Sequence, residues 1–313
     1  MLVSRTCNLP QIAIYAKALK TSQFMALKES IWDWDNDVRQ LDYFAMFRAE
    51  DKVLTIMRDL KHDHLIEYVT SFTISFTHFL VFPWADAGNL REFWFQDDDR
   101  RTSPECITWF IEQLTGLFDG IKELHSKCCM HGDIKPENLL LFPQHGTWPR
   151  IVISDFGLAR APILPTIVRK ANNEHTKTTW RTPMYEAPES EDPESKDLFS
   201  PRSSHDIWQI GCVSLELLIW LLWGQAQGLA LFSNLLANAP FWKVSSDIPI
   251  PSTSPRKIVH PSVLATMQWL RKQDFRCAEQ TAVGDILHLI MRKLLEVELD
   301  CGKVVRTQRR CLR

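Results

Sequence analysis

Apolar and polar positions alternate in short runs at the start of the chain. IAIYAKAL and FMALKES, separated by the polar run KTSQ, predict two strands within residues 11–30. Residues 43–60 then place apolar side chains at 43, 47, 54, 57 and 60, which is helical spacing. SFTISF and HFLVF return to the strand pattern. From Ser103 the pattern lengthens. Ser103 suits an N-cap and Pro104 the first helical position, and Ile107, Ile111, Leu114, Phe118, Ile121 and Leu124 form an apolar stripe. Short apolar runs follow at 139–142 and 151–153, and the polar, proline-containing stretch 158–205 predicts loop. Helix is predicted again at 206–223 and 263–299, with a Ser/Pro-rich loop at 245–262. A strand-rich first part followed by a helix-rich remainder is of α+β type. Neither internal repeats nor low-complexity tracts are evident.

Composition narrows the function classes. At about 150 residues per domain, 313 residues make two domains or one two-lobed unit. Hydrophobic residues at 45% supply a core and exclude a disordered chain. Lys+Arg of 36 against Asp+Glu of 38 argues against a protein whose main task is gripping nucleic acid or an anionic membrane. The eight cysteines form no C-x-x-C pair and no zinc spacing, so free thiols in a reducing compartment are expected. The first twenty residues lack a signal peptide's features, and VSLELLIWLLWG (213–224) is short for a bilayer span and carries Glu216. Together these predict a soluble intracellular protein, cytoplasmic or nuclear. The tryptophans in apolar helical runs, such as Trp208, Trp220 and Trp223, are read as core. The basic tail with Lys303, Arg306, Arg309, Arg310 and Arg313 is read as a solvated helix end.

Three motifs follow in order: HGDIKPENLLL at 131–141, SDFGLA at 154–159 and APE at 187–189. Singly each is weak. A lone DFG is commonly a turn, and HGDIKPEN alone is a polar loop after a helix. In this order, with a helix before the first motif and short apolar runs around it, the set resembles the protein-kinase signature, over about residues 11–300. The resemblance is to eukaryotic-type Ser/Thr protein kinases, in a fungal kinase-like form that looks incomplete at its N-terminus. It implies a two-lobed fold, with a strand-rich N-lobe over 1–85 and a helical C-lobe over 86–313. It also implies ATP, Mg2+, a protein substrate and a monomer.

The resemblance assigns roles residue by residue. Asp133 matches the catalytic-loop aspartate that accepts the hydroxyl proton, and Lys135 the lysine that stabilises the transferring phosphoryl group. Asn138 and Asp155 match the two metal ligands; hard oxygen donors are what magnesium takes. Lys28 in FMALKES matches the strand lysine that holds the α- and β-phosphates. Its partner is expected to be Glu50, three residues after Phe47 and four before Leu54, hence on the apolar stripe, where a carboxylate needs a cation. Asp51 turns off that stripe. LVFPWADAGNL (80–90) resembles the hinge, with Phe82 as gatekeeper, the Pro83 carbonyl accepting from the adenine amino group and the Ala85 N–H donating to the ring. WRTPMYEAPE (180–189) resembles the peptide-binding loop. There Thr182 matches the threonine that contacts the catalytic Asp and Lys in Ser/Thr kinases. Asp206 matches the buried aspartate that holds the catalytic-loop backbone. Glu189 would pair with a late arginine, for which Arg306 is the candidate.

Two departures stand out. The first glycine of the chain is Gly88, whereas the family's G-x-G-x-x-G loop and its first strand should precede Lys28. Either the true N-terminus is missing or the nucleotide lid is gone. Gly132 replaces the arginine that receives an activation-loop phosphate, so Thr176, Thr178 and Thr179 are read as ordinary loop composition. Three functions therefore compete: an active Ser/Thr kinase, a catalytically weak or inactive kinase-like scaffold that binds a partner, and a small-molecule phosphotransferase. The last would have no need of Thr182 and the APE segment.

Overall fold

A computed structural model describes residues 13–17, 24–30, 37–74, 77–96, 99–144, 146, 148–159, 182–191, 203–245 and 256–297. Strands β1 (Ala13–Lys17) and β2 (Phe24–Ser30) are antiparallel, with Ala13 opposite Lys28. Helix α1 (Asp37–Arg58) follows, then β3 (Thr70–Ile74) and β4 (Thr77–Pro83). The four strands form one antiparallel sheet in the order β1-β2-β4-β3. Its register sets Lys28 beside Leu80 and Met25 beside Pro83. On α1 the buried face carries Phe47, Glu50, Val53, Leu54 and Met57, while Leu60 falls past the helix end.

Beyond β4 come the one-turn helix α2 (Leu90–Phe93) and the long helix α3 (Pro104–Ser126). Ser103 Oγ caps α3 by accepting the Cys106 N–H at 3.2 Å. The buried face of α3 overlaps the expected stripe only in part. Leu114, Ile121 and Leu124 of that stripe are buried, together with Cys106, Trp109, Phe110, Gln113 and Leu117, whereas Ile107, Ile111 and Phe118 are only half-buried. Two apolar rows run along this helix one position apart, and tertiary packing selects between them.

Strands β5 (Leu139–Phe142) and β6 (Arg150–Ile153) make a hairpin. Ile153 continues outward, accepting from Ile66 N–H and donating to His64 O, both at 2.9 Å. Leu141 N–H donates to Gly88 O at 2.9 Å and its carbonyl accepts from Ala87 N–H, which ties residues 87–88 to β5. Helix α4 (Ser203–Gly224) passes through a π turn (Gln225–Leu229) into α5 (Ala230–Leu236). The run Ser204–Leu236, longer than the apolar twelve residues 213–224, is long and apolar enough to cross a membrane by length and composition. Its most apolar stretch is 89% buried within the protein, the packing of a core helix. Trp208 and Trp220 are buried, but Trp223 is half-exposed against the ring of Trp269.

The expected loop 245–262 contains a strand. β7 (Trp242–Val244) pairs with β8 (Lys257–Val259), and α6 (Pro261–Gln273), α7 (Ala282–Leu289) and a π turn (Ile290–Leu294) follow. The helix expected over 263–299 is interrupted at 274–281, where Asp274 caps a 3-10 turn (Phe275–Cys277) and Thr281 caps α7. Strand-rich then helix-rich, the order is the α+β arrangement expected. The chain divides into two compact units: one of residues 1–90, 115–132 and 137–180, the other of 91–114, 133–136 and 181–313.

Candidate active site

In the first unit, β2, α1 and the turn after β6 bring three charged side chains together. Lys28 Nζ donates to both oxygens of Glu50, at 2.7 and 2.9 Å, and to Asp155 Oδ1 at 2.7 Å. The expected Lys28–Glu50 pair is thus present, and Asp155, given a separate metal role from the sequence, shares the same ammonium. Asp51 points elsewhere and accepts the Tyr68 hydroxyl. Burial favours neutral Lys28, but the Asp155 and Glu50 carboxylates outweigh it and raise its pKa. Burial pushes the Glu50 carboxyl up, against the pull of Lys28. Burial would also raise Asp155, yet the charge and hydrogen bond of Lys28 hold it down to about 2. Two carboxylates around one cation divide in this way because each repels the other while both need the ammonium.

Local backbone geometry aims Asp155. The residue sits at φ 65°, ψ 78°, and its Oδ1 accepts Gly157 N–H at 3.3 Å. Gly157 permits the close approach: a Cβ there would stand 3.2 Å from Asp155 Oδ1 and 3.3 Å from Lys28 Nζ. Preceding it, Ser154 donates twice to the Asn138 carbonyl, through N–H and Oγ, each at 2.9 Å. His131 Nε2–H donates to the Ser154 carbonyl at 2.9 Å, and its ring packs edge-on against Phe156. These bonds tie the strand before Asp155 to Asn138. Both oxygen-bearing side chains thereby belong to one clamped corner.

Among the described residues no three of His, Cys, Asp and Glu gather as a metal cage. Magnesium retains waters and substrate phosphates and takes only one or two protein carboxylates. Asp155, ionised across the physiological range, and the amide oxygen of buried Asn138 are suitable donors. At the end of β4, Pro83 is half-buried and Ala85 buried, with the Ala85 carbonyl accepting Gly88 N–H at 3.2 Å.

The second unit holds the other part of the set. Lys135 Nζ lies 2.8 Å from Asp133 Oδ2 and donates to Thr182 Oγ1 at 3.1 Å. Asp133 is buried and Lys135 half-buried. Asp206 is completely buried near the start of α4. Gln209, one turn further, accepts Ile134 N–H at 2.9 Å through its Oε1 and so holds the backbone of the HGDIKPEN loop. The sequence reading missed Gln209; its signal was a polar residue buried in an otherwise apolar helix. Glu189 accepts the Ser204 hydroxyl at 2.7 Å. Arg306, its expected partner, lies outside the described residues, as do Thr176, Thr178, Thr179, the basic tail and residues 1–12. Arg91 and Glu216 were also missed. Tyr185 donates to Glu216 Oε2 at 2.6 Å, and Arg91 Nη2 donates to the Tyr185 oxygen.

A protein-family profile described as the protein kinase domain matches residues 13–276. The chain belongs to the protein kinase family. Its curated relatives are serine/threonine kinases. The serine/threonine-protein kinase ksp1 of Schizosaccharomyces pombe is 30% identical over 175 residues, 55% of this chain and 34% of that protein. The meiosis-specific serine/threonine-protein kinase mek1 of the same yeast is 27% identical over 175 residues, 54% of this chain and 36% of that protein. Nek2 of Mus musculus is 27% identical over 191 residues, 57% of this chain and 39% of that protein. The matched segment thus spans well under half the length of these relatives. Kinases of this family use ATP, typically with Mg2+.

Proposed function

We propose that this chain is a serine/threonine protein kinase that transfers the γ-phosphoryl group of ATP to a protein hydroxyl. The observation that carries the reading is Lys28, held between Glu50 and Asp155 by three hydrogen bonds of 2.7–2.9 Å. Phosphoryl transfer is chiefly positioning and charge stabilisation, and a lysine fixed by a helix glutamate is one of its recurring parts. In this reading Lys28 holds the α- and β-phosphates, Glu50 orients Lys28, and Pro83 and Ala85 receive the adenine. Asn138 and Asp155 hold the metal. Mg2+ held there would offset the negative charge of the phosphates. Asp133 accepts the hydroxyl proton, Lys135 stabilises the transferring group, and Thr182 fixes Lys135 beside the peptide-accepting segment. Glu189 and Asp206 are structural. The lobe division at residues 85 and 86, the monomeric state and a cytoplasmic or nuclear location belong to the same proposal.

A second reading, a kinase-like scaffold working through partner binding, is favoured by one observation: residues 1–27, ahead of Lys28, contain no glycine. Backbone approach to phosphates is easiest at glycine, so a lid of another composition would cover ATP less closely. Titrating ATP with and without Mg2+, in the wild type and in Asp155→Ala, separates the readings. Mg2+-dependent binding lost in the variant supports the kinase. Equal affinity in all four cases rejects the metal assignment.

A further inference from the structure

Residues 182–190 run through two 3-10 turns, Pro183–Tyr185 and one beginning at Pro188, and the fixation of this segment does not come from a strand ladder. Pro183 and Pro188 have no N–H to give to one. Instead, the carbonyls of alternate residues are taken by one neighbouring element. Phe241 N–H donates to Met184 O at 3.3 Å. Trp242 Nε1–H donates to Glu186 O at 2.8 Å. Lys257 Nζ donates to Pro188 O. All three donors belong to the β7–β8 hairpin and its first flanking residue. The hairpin closes itself through Ser245 N–H to Arg256 O at 2.7 Å and His260 N–H to Phe241 O at 2.7 Å. Its two side-chain donors also brace each other, with the Lys257 ammonium 5.1 Å above the Trp242 ring. Tyr185, between these carbonyls, is anchored on buried Glu216.

We infer that the β7–β8 hairpin is a positioning element for phosphoacceptor binding: it holds segment 182–190 ready for a peptide without a phosphate on the chain. Two facts converge on this. The segment carries Thr182, bonded to Lys135. Residue 132, where the family's arginine would receive an activating phosphate, is glycine and has no side chain to do so. A phosphate fixes such a segment through charge-assisted bonds; here three donors from an adjacent hairpin supply the fixation. Trp242 and Lys257 act through the backbone of the segment and touch no reacting atom.

The inference rests on the kinase reading, so its test has a readout independent of activity. Trp242→Phe with Lys257→Met removes two donors while keeping ring and stem. Backbone amide exchange of Tyr185 and Glu186 is then measured, together with ATP affinity and peptide KM. The inference expects exchange of those amides to speed up by about tenfold, the scale of one or two lost hydrogen bonds. Peptide KM is expected to rise by about the same factor with ATP affinity unchanged. Restoring a donor in Trp242→Phe with Lys257→Arg should recover part of both. Unchanged exchange overturns the inference, as does faster exchange with unchanged peptide KM. If the wild type binds ATP yet transfers no phosphate, the kinase reading fails; faster exchange would then establish the hairpin's hold without a catalytic purpose.

Discussion

Lys28 and Asp155 stand 127 residues apart in sequence and 2.7 Å apart in space. One ammonium therefore serves both the helix glutamate and the aspartate of the DFG turn. These three side chains form an ion-pair cluster whose charge balance depends on Lys28. Lys28 and Gly157 N–H both engage Oδ1 of Asp155, so in the proposed reading its second carboxylate oxygen would be the one to hold a metal ion.

Lys28→Met should be strongly destabilising as well as disabling. It leaves Glu50, buried, and Asp155, half-buried, with no cation between them. Removing one partner from such a cluster costs about 3–5 kcal/mol. Denaturant unfolding reads the loss. Adding Glu50→Gln to Lys28→Met should recover part of it, because one of the two repelling charges is then gone. A double variant less stable than the sum of both single ones would count against the cluster.

Acid sensitivity follows from Asp155. Its carboxyl is held down to about 2 in the folded chain, against about 3.9 when exposed. A depressed folded pKa contributes stability that is fully present above about pH 4 and is lost as pH falls toward 2. Glu50, whose carboxyl is raised, has the opposite slope above its ordinary range. Acid unfolding should therefore be shallower between pH 4 and 2 in Asp155→Asn than in the wild type. Identical slopes would show that Asp155 does not feel Lys28.

Phosphatase treatment should leave transfer activity nearly unchanged. Position 132 is glycine, at φ 82°, where an arginine would meet an activating phosphate. A loss above about tenfold, about 1.4 kcal/mol of barrier, would show that another cation receives a phosphate.

Acceptor choice should favour serine and threonine over tyrosine. Lys135 bridges Asp133 and Thr182. In the proposed reading, a lysine and a threonine at these two places mark a peptide-binding loop of the serine/threonine type. A peptide array yielding chiefly phosphotyrosine would overturn the assignment.

Local motifs made most of the candidate site legible. Asp133, Lys135 and Asn138 lie within six residues, so their grouping survives any uncertainty about the fold. Glu50 could be placed because helical periodicity set it on the buried face with Phe47 and Leu54. What escaped was tertiary. Nothing in DFG predicts that Asp155 bonds Lys28, because their meeting depends on how β2 and the turn after β6 are brought together. Strand β8 is three residues long beside a Ser/Pro-rich stretch, too short for alternation to register. On α3 the stripe failed at Ile107, Ile111 and Phe118 because both of the helix's apolar rows satisfy the same period. Gln209 and Glu216 were passed over as polar interruptions of α4, although burial turns each into a fixed hydrogen-bond partner.

The central claim is that Asp133 accepts a proton while phosphate moves to a protein hydroxyl. The most direct measurement compares phosphate transfer to a serine-containing protein by the wild type and by Asp133→Asn, with Mg2+ and ATP, alongside ATP affinity. General-base removal should lower transfer by about 10²–10⁴-fold and leave ATP affinity nearly intact. Equal transfer by both proteins, or none by the wild type despite Mg2+-dependent ATP binding, would contradict it.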